Sequence, residues 1–177
     1  MNLVIYYGST KAYNMKKVLD SLSSILDNRG HKYTVIRETV YNCINCGFCV
    51  KHGECCLSDK FPKESLKECD GIIILSPIFF FSFSAKAKAF LDRLYSVKLE
   101  DKIITSITLS GSDTSSIYCG FDLIEETLIR TSEYCGSKYV QPINFVTGDK
   151  ELEVLDTSII ESFVRDLEVS YEIKKED

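Results

Sequence analysis

Five of the eight cysteines in this 177-residue chain are concentrated in one short segment. Four lie within 13 consecutive residues, Cys43, Cys46, Cys49 and Cys55, and Cys56 follows directly. Two-residue spacers let successive thiolates point at one centre, and four thiolates suit a 4Fe-4S cluster or a tetrahedral zinc ion. Three closely spaced thiols favour the cluster, because zinc more often takes two separated CxxC pairs. The spacing predicts a metal loop with Cys55 or Cys56 as the fourth ligand, and zinc or an unmetallated loop as alternatives.

A polar turn at residues 8–14 runs from a short apolar segment into an amphipathic one. Ser9 and Thr10 supply hydroxyls, Lys11 a positive charge and Asn14 an amide, beside the free backbone N–H groups of a helix start. Such groups bind phosphate. The turn has neither the Gly-Lys-Ser/Thr of a nucleoside triphosphate loop nor the glycine spacing of a dinucleotide fingerprint. It therefore predicts a site for one terminal phosphate, the alternative being that Ser9 or Asn14 only caps the helix.

A proline and a run of aromatic residues follow the third apolar segment. The residues concerned are Pro77, Ile78, Phe79, Phe80 and Phe81. A flat apolar ring would pack against such side chains, and the backbone offers N–H and C=O groups to the polar rim of the ring. The loop therefore predicts a ring-binding site, with a hydrophobic lid or a subunit interface as the alternative.

The elements that must position these residues follow from the hydrophobic pattern. Compact apolar runs, typical of strands buried on both faces, alternate with amphipathic helices. The predicted strands are residues 3–7, 33–36, 71–75, 103–109 and 139–146. Gly30 is placed to close the first helix and Ser84 to cap a later one. This order predicts an α/β doubly wound five-stranded parallel sheet with helices on both faces, in a single domain spanning residues 1–177.

A doubly wound sheet binds its ligand at the carboxyl ends of the strands. Three loops should meet there: residues 8–14, 76–83 and 110–118, the last of which adds Ser110 and Gly111. The cysteine-rich segment at about residues 40–59 lacks periodicity, and connections of that length are usually functional or disordered. Its cysteines favour a functional insertion.

Charge and hydropathy exclude several classes of partner. The chain has 21 basic and 26 acidic residues, a formal charge of -5, and no sustained basic run. We therefore expect neither a nucleic acid nor a membrane as partner. The longest apolar stretch, residues 71–83, is too short to span a bilayer. No basic leader or cleavage site is visible, so we expect the cytoplasm. The cysteine density is high for such a reducing compartment, where disulfides rarely persist, and this suggests that the clustered thiols are ligands.

Two histidines and no paired carboxylates near the predicted pocket argue against a hydrolase. Redox chemistry needs no protein acid or base, because a bound cofactor carries it. The quoted segments resemble the flavodoxin-like, FMN-dependent NAD(P)H oxidoreductases, in the branch that includes the iron–sulfur flavoproteins. The resemblance covers about the first 95 residues. It rests on the polar turn, the cysteine run and the stretch from Ser76 to Arg93.

The resemblance implies a flavodoxin-like sheet of order 2-1-3-4-5 and FMN as cofactor. It implies NAD(P)H or a reduced carrier as donor, a small molecule or protein as acceptor, and a homodimer or homotetramer. The implied flavin contacts are Ser9, Thr10, Lys11, Asn14, Met15, Pro77, Ile78, Phe79, Phe80, Phe81, Ser110 and Gly111. The implied cluster ligands are Cys43, Cys46, Cys49 and Cys55. An FMN or quinone reductase without a cluster, or a non-enzymatic scaffold around a zinc loop, are the alternatives.

Overall fold

The computed structural model describes residues 1–10, 13–147 and 155–176. In chain order, the elements are β1 (Asn2–Tyr7), α1 (Tyr13–Asn28), β2 (Lys32–Ile36), α2 (Phe48–His52), α3 (Lys63–Glu68), β3 (Gly71–Phe79), β4 (Ser82–Phe83), α4 (Ala85–Arg93), β5 (Ile103–Ser110), α5 (Phe121–Cys135), β6 (Lys138–Tyr139), β7 (Ile143–Val146) and α6 (Thr157–Glu176).

The strands form one sheet in which β2, β1, β3 and β5 are parallel neighbours. Both β6 and β7 pair in parallel with β5, while β4 pairs antiparallel with β3 as a short hairpin. When the hairpin strand β4 is left out and β6 and β7 are counted together as the fifth predicted strand, the sheet order is 2-1-3-4-5. The predicted doubly wound α/β sheet is therefore confirmed. The strand count is seven rather than five.

The two additional strands have separate causes. The predicted fifth strand, residues 139–146, is interrupted between β6 and β7. Pro142 lies in the gap, and proline has no N–H to donate to a strand ladder. The remaining strand, β4, arises because the chain turns back directly after Phe79, at the end of β3.

The core lies in two layers, one on each face of the sheet. Side chains alternate between faces along a strand, so Val4 and Tyr6 of β1 pack with α3, α4 and α5. Leu3 and Ile5 pack with α1 and α6 on the opposite face. The Tyr6 ring stacks on Phe90 of α4, with the ring centroids 3.9 Å apart. This packing fixes α1 and α4 beside the carboxyl end of β1.

The caps that the sequence indicates are present. Gly30 adopts a left-handed conformation after α1, with φ of 72°, and its N–H donates to the carbonyl of Asp27. The Ser84 hydroxyl accepts a hydrogen bond from the N–H of Ala87 at the start of α4. Within the described ranges, none of the helices has the length and apolar character needed to cross a bilayer.

Candidate functional site

A cleft of about 680 Å³ opens at the carboxyl ends of the strands, where the three predicted loops meet. Its size is within the usual range for small-molecule sites. The lining residues are Ser9, Thr10, Tyr13, Asn14, Met15, Pro77, Ile78, Phe79, Leu109, Ser110, Gly111 and Thr147. Nine of the twelve residues expected to contact a flavin are among them. Lys11 lies outside the described residues, and Phe80 and Phe81 do not contribute to the lining.

The first loop is held tightly against the rest of the sheet edge. The N–H of Gly8 donates to the carbonyl of Leu75, with 2.7 Å between N and O. A Cβ on Gly8 would lie 2.7 Å from the Cβ of Ala87, so a larger residue cannot fit without a shift. The Ser84 hydroxyl donates to the Gly8 carbonyl. The turn that precedes α1 is therefore fixed to the start of α4.

Asn14 is the second residue of α1, and its side chain lines the cleft. The position inside the helix differs from an N-cap, which precedes the first helical residue. Ser9 is 8% exposed and Thr10 is exposed on the same side of the cleft. Hydroxyl, amide and helix-terminal N–H groups thus converge at one end, which suits a phosphate.

The second loop is a hairpin with a strained tip. Phe80 and Phe81 have φ values of 47° and 64°, a left-handed conformation that costs a non-glycine residue about 1–2 kcal/mol. Gly120, at the start of α5, lies so close that a Cβ there would be 2.3 Å from the Cα of Phe81. Phe79 lines the cleft and is 61% exposed, and Phe80 is 97% exposed at the tip.

The third loop is shaped by the Ser110 hydroxyl, which is buried and both donates and accepts a hydrogen bond. It accepts from the side-chain amide of Asn144 at 2.7 Å and donates to the carbonyl of Ser112 at 2.7 Å. Asn144 in turn accepts from the Thr108 hydroxyl at 2.8 Å. Nothing lies within 4 Å of a Cβ built on Gly111. The loop therefore presents open backbone to the cleft.

Three lining residues were missed by the sequence analysis: Tyr13, Leu109 and Thr147. Thr147 follows the fifth predicted strand, and its N–H donates to the Ser110 carbonyl at 2.8 Å. Because the carboxyl ends of all parallel strands meet at one edge of the sheet, the position of Thr147 after that strand could have predicted that it lines the cleft. Tyr13 lies within the predicted turn at residues 8–14, and Leu109 is the last residue of the predicted strand 103–109.

A second cavity of about 680 Å³ lies between α4 and α5. Leu91 and Leu94 line one wall and Tyr134 and Cys135 the other. No loop from the carboxyl ends of the strands contributes to its lining among the described residues. Its position matches none of the predicted ligand sites.

The cysteine-rich segment brings three of its predicted ligands to one place. Cys43, Cys49 and Cys55 line a cavity of about 250 Å³ together with Arg93 and other residues. Cys46 instead approaches Cys56, with the sulfur atoms 3.4 Å apart. Across residues 1–10, 13–147 and 155–176, no group of three or more His, Cys, Asp or Glu side chains is arranged to hold a metal ion.

The Cys46–Cys56 contact changes the acidity of both thiols. The backbone N–H of Phe48 and the Cys56 thiol lower the pKa of Cys46, because both can donate to its thiolate. The same contact raises the pKa of Cys56. Cys46 is therefore the more readily deprotonated member of the pair.

A buried ion pair anchors the cysteine-rich segment to α4. Nη1 of Arg93 donates to Oδ2 of Asp59 at 2.6 Å, with the two side chains only 1% and 5% exposed. Asp59 also accepts from the N–H groups of Tyr41 and Phe61. Burial alone would raise the pKa of Asp59, but these hydrogen bonds, led by that of Arg93, lower it overall. The pair thus fixes both ends of the segment.

One helix connects the cleft with the cysteine cavity. Ser84 caps the first turn of α4 beside the cleft, and Arg93, its last residue, lines the cysteine cavity. Nine helical residues span roughly 13 Å. The cleft and the cysteine cavity thus lie at opposite ends of one helix.

The sequence model that describes the NADPH-dependent FMN reductase family matches residues 1–125 of this chain. An iron-sulfur flavoprotein of Archaeoglobus fulgidus is 32% identical over 100 residues, which cover 53% of this chain and 46% of the relative. The chain spans about half the length of the curated relatives it matches.

Solved structures show the same fold at low sequence identity. RosB, crystallised with 8-demethyl-8-formylriboflavin-5'-phosphate, superposes with a TM-score of 0.72 at 13% identity, covering 99% of this chain and 81% of RosB. Flavodoxin 1 of Bacillus cereus superposes with a TM-score of 0.60 at 14% identity, covering 97% of each chain. The fold of this chain is thus that of flavodoxin-like proteins.

Proposed function

Because the chain belongs to the NADPH-dependent FMN reductase family, we propose that it is an oxidoreductase that holds FMN in the cleft at the carboxyl ends of the strands. The observation that carries the proposal is the convergence of Ser9, Asn14, Phe79 and Gly111 around one cavity. A phosphate-binding end and a ring-binding end lie in the same cleft, in the arrangement that a phosphorylated flat ring requires.

The described residues suit FMN in both polarity and the size of the cleft. Ser9, Thr10 and Asn14 would bind the phosphate at the α1 N-terminus, where the helix dipole favours an anion, with Met15 beside them. Pro77, Ile78 and Phe79 would cover one side of the ring. Ser110 and Gly111 would offer backbone groups to its polar rim. Lys11 is proposed as a further phosphate contact, and Phe80 and Phe81 as contacts at the cleft mouth.

When bound, FMN supplies the redox chemistry, taking up a hydride and releasing electrons singly or in pairs. We propose NAD(P)H or a reduced carrier as donor and a small molecule or protein as acceptor. Phe79 is positioned to shield one part of the ring from water while leaving the cleft mouth open to a donor.

We further propose that Cys43, Cys46, Cys49 and Cys55 hold a 4Fe-4S cluster. Cys43, Cys49 and Cys55 already share a cavity with Arg93, whose positive charge suits a thiolate-ligated anion. Cys46 must turn away from Cys56 to join them. The iron–sulfur flavoproteins among the relatives support this assignment.

An FMN or quinone reductase without a cluster is the second candidate, and the Cys46–Cys56 contact favours it. In that case the four thiols serve only to fold the segment.

We also propose a homodimer or homotetramer, because assembly would cover Phe80, which is 97% exposed. We propose a cytoplasmic location as well, in keeping with eight cysteines that are all free thiols.

Anaerobic purification followed by an absorbance spectrum and iron, sulfide and zinc analysis separates these functions. Flavin with iron and sulfide supports the cluster, flavin alone supports the second candidate, and zinc without flavin contradicts both. Bleaching of the flavin by NADPH or NADH, followed by reoxidation with an acceptor, tests the donor. Cys46→Ser should abolish iron binding and keep FMN, whereas Cys56→Ser should retain both.

A further inference from the structure

Arg93 has more hydrogen-bonding capacity than its visible partners use. Its side chain is 1% exposed, and within the described residues Nη1 donates both of its hydrogen bonds, to Asp59 at 2.6 Å and to the carbonyl of Tyr41 at 3.4 Å. Within the described part of the chain, Nε and Nη2 are buried without any hydrogen-bond partner. Buried donors on a charged group are costly to leave unpaired. The guanidinium carbon also lies 4.4 Å from the centroid of the Phe61 ring, a contact that covers one face of the group and supplies no acceptor in its plane for Nε or Nη2.

Arg93 also lines the cysteine cavity. Cys43, Cys49 and Cys55 share this cavity with it. The other charged residue in the lining, Asp92, is engaged by the ammonium of Lys88 on the exposed side of α4. Arg93 is therefore the lining cation with unused donors.

We propose that Arg93 is a positioning residue for the thiolate-ligated centre, donating through Nε and Nη2 to its sulfur atoms while Asp59 holds the guanidinium in place. The inference rests on the proposed function, since it requires that these cysteines ligate a 4Fe-4S cluster. Hydrogen bonds and positive charge at sulfur favour the more negative, reduced form. Arg93 thus raises the reduction potential of the centre.

The test compares Arg93→Gln with wild type and with Lys98→Gln, all as FMN-loaded, iron-reconstituted protein. Lys98→Gln removes a positive charge five residues after Arg93, at an exposed position that does not line the cavity. Spectroscopic redox titration should show the reduction equilibrium of Arg93→Gln shifted at least tenfold toward the oxidised form. For a one-electron couple this is about 59 mV more negative. Lys98→Gln should match wild type.

Arg93→Lys keeps the charge and the Asp59 partner but lacks the planar donor fork. Its potential should lie between those of wild type and Arg93→Gln, and it decides the question alone if the glutamine variant does not fold. An iron-loaded Arg93→Lys or Arg93→Gln with the wild-type potential overturns the role of Arg93. A wild type that binds FMN but neither iron nor sulfide overturns the cluster and this inference together, so the two failures are distinguishable.

Discussion

The hydroxyl of Ser84 donates a hydrogen bond to the carbonyl oxygen of Gly8, across 76 residues of sequence. The hydroxyl oxygen of Ser84 also accepts from the N–H of Ala87, so one side chain caps α4 and secures the turn that leads into α1. The turn that we propose binds the phosphate is therefore tied to the helix that ends at the cysteine cavity.

Ser84→Ala should destabilise the protein by about 1–2 kcal/mol, the usual cost of a lost N-cap. It should also weaken FMN binding, because Gly8 loses its anchor. Thermal unfolding and flavin fluorescence titration measure the two effects. Ser82→Ala, an exposed change in the same hairpin, is the control and should alter neither. Unchanged affinity in Ser84→Ala would show that the anchor does not shape the binding turn.

Asn14→Ala should weaken FMN binding by about 1.5–3 kcal/mol, the value of a hydrogen bond to a charged oxygen. Asn28→Ala, an exposed asparagine at the other end of α1, should leave the dissociation constant unchanged. Fluorescence titration with FMN measures the dissociation constants of both variants. A lower melting temperature with unchanged affinity would instead indicate that Asn14 serves only the helix.

The thiol of Cys46 should become reactive at lower pH than an ordinary cysteine, whose pKa is about 8.5. A lowered pKa means more thiolate at any given pH, and the thiolate is the nucleophile. In metal-free protein, mass spectrometry of alkylated peptides across a pH series gives the titration of Cys46. Cys56→Ala should move it upward by removing one hydrogen bond, whereas Cys43→Ala should not. A Cys46 titration at or above the ordinary value would contradict the described contact.

Much of the fold was predictable, because apolar strands and amphipathic helices alternate and the crossover rule leaves few topologies. The interruption of the fifth predicted strand at Pro142 could also have been predicted, since proline cannot donate to a strand ladder. The pairing of Cys46 with Cys56 depends on left-handed backbone at Asn45 and Gly47, which spacing alone does not reveal. The Arg93–Asp59 pair joins residues 34 apart with no periodic signal between them.

Thr105→Val should stabilise the fold by about 1 kcal/mol. The Thr105 hydroxyl in β5 is fully buried and, within the described residues, has no hydrogen-bond partner, so the change removes an unpaired polar group at nearly constant volume. The melting temperature should rise by about 2–4 °C. Thr34→Val on the exposed side of β2 is the control and should have little effect. A fall in melting temperature for Thr105→Val would mean that the hydroxyl has a partner.

The central claim, that the cleft at the strand ends holds FMN, is tested most directly by identifying the flavin that the protein binds. Protein purified anaerobically and then loaded with flavin is heated, and the released ligand is identified and quantified by mass spectrometry. The account predicts FMN at about one molecule per chain, with occupancy reduced in Asn14→Ala. Recovery of FAD, or of no flavin after loading with FMN, would contradict it.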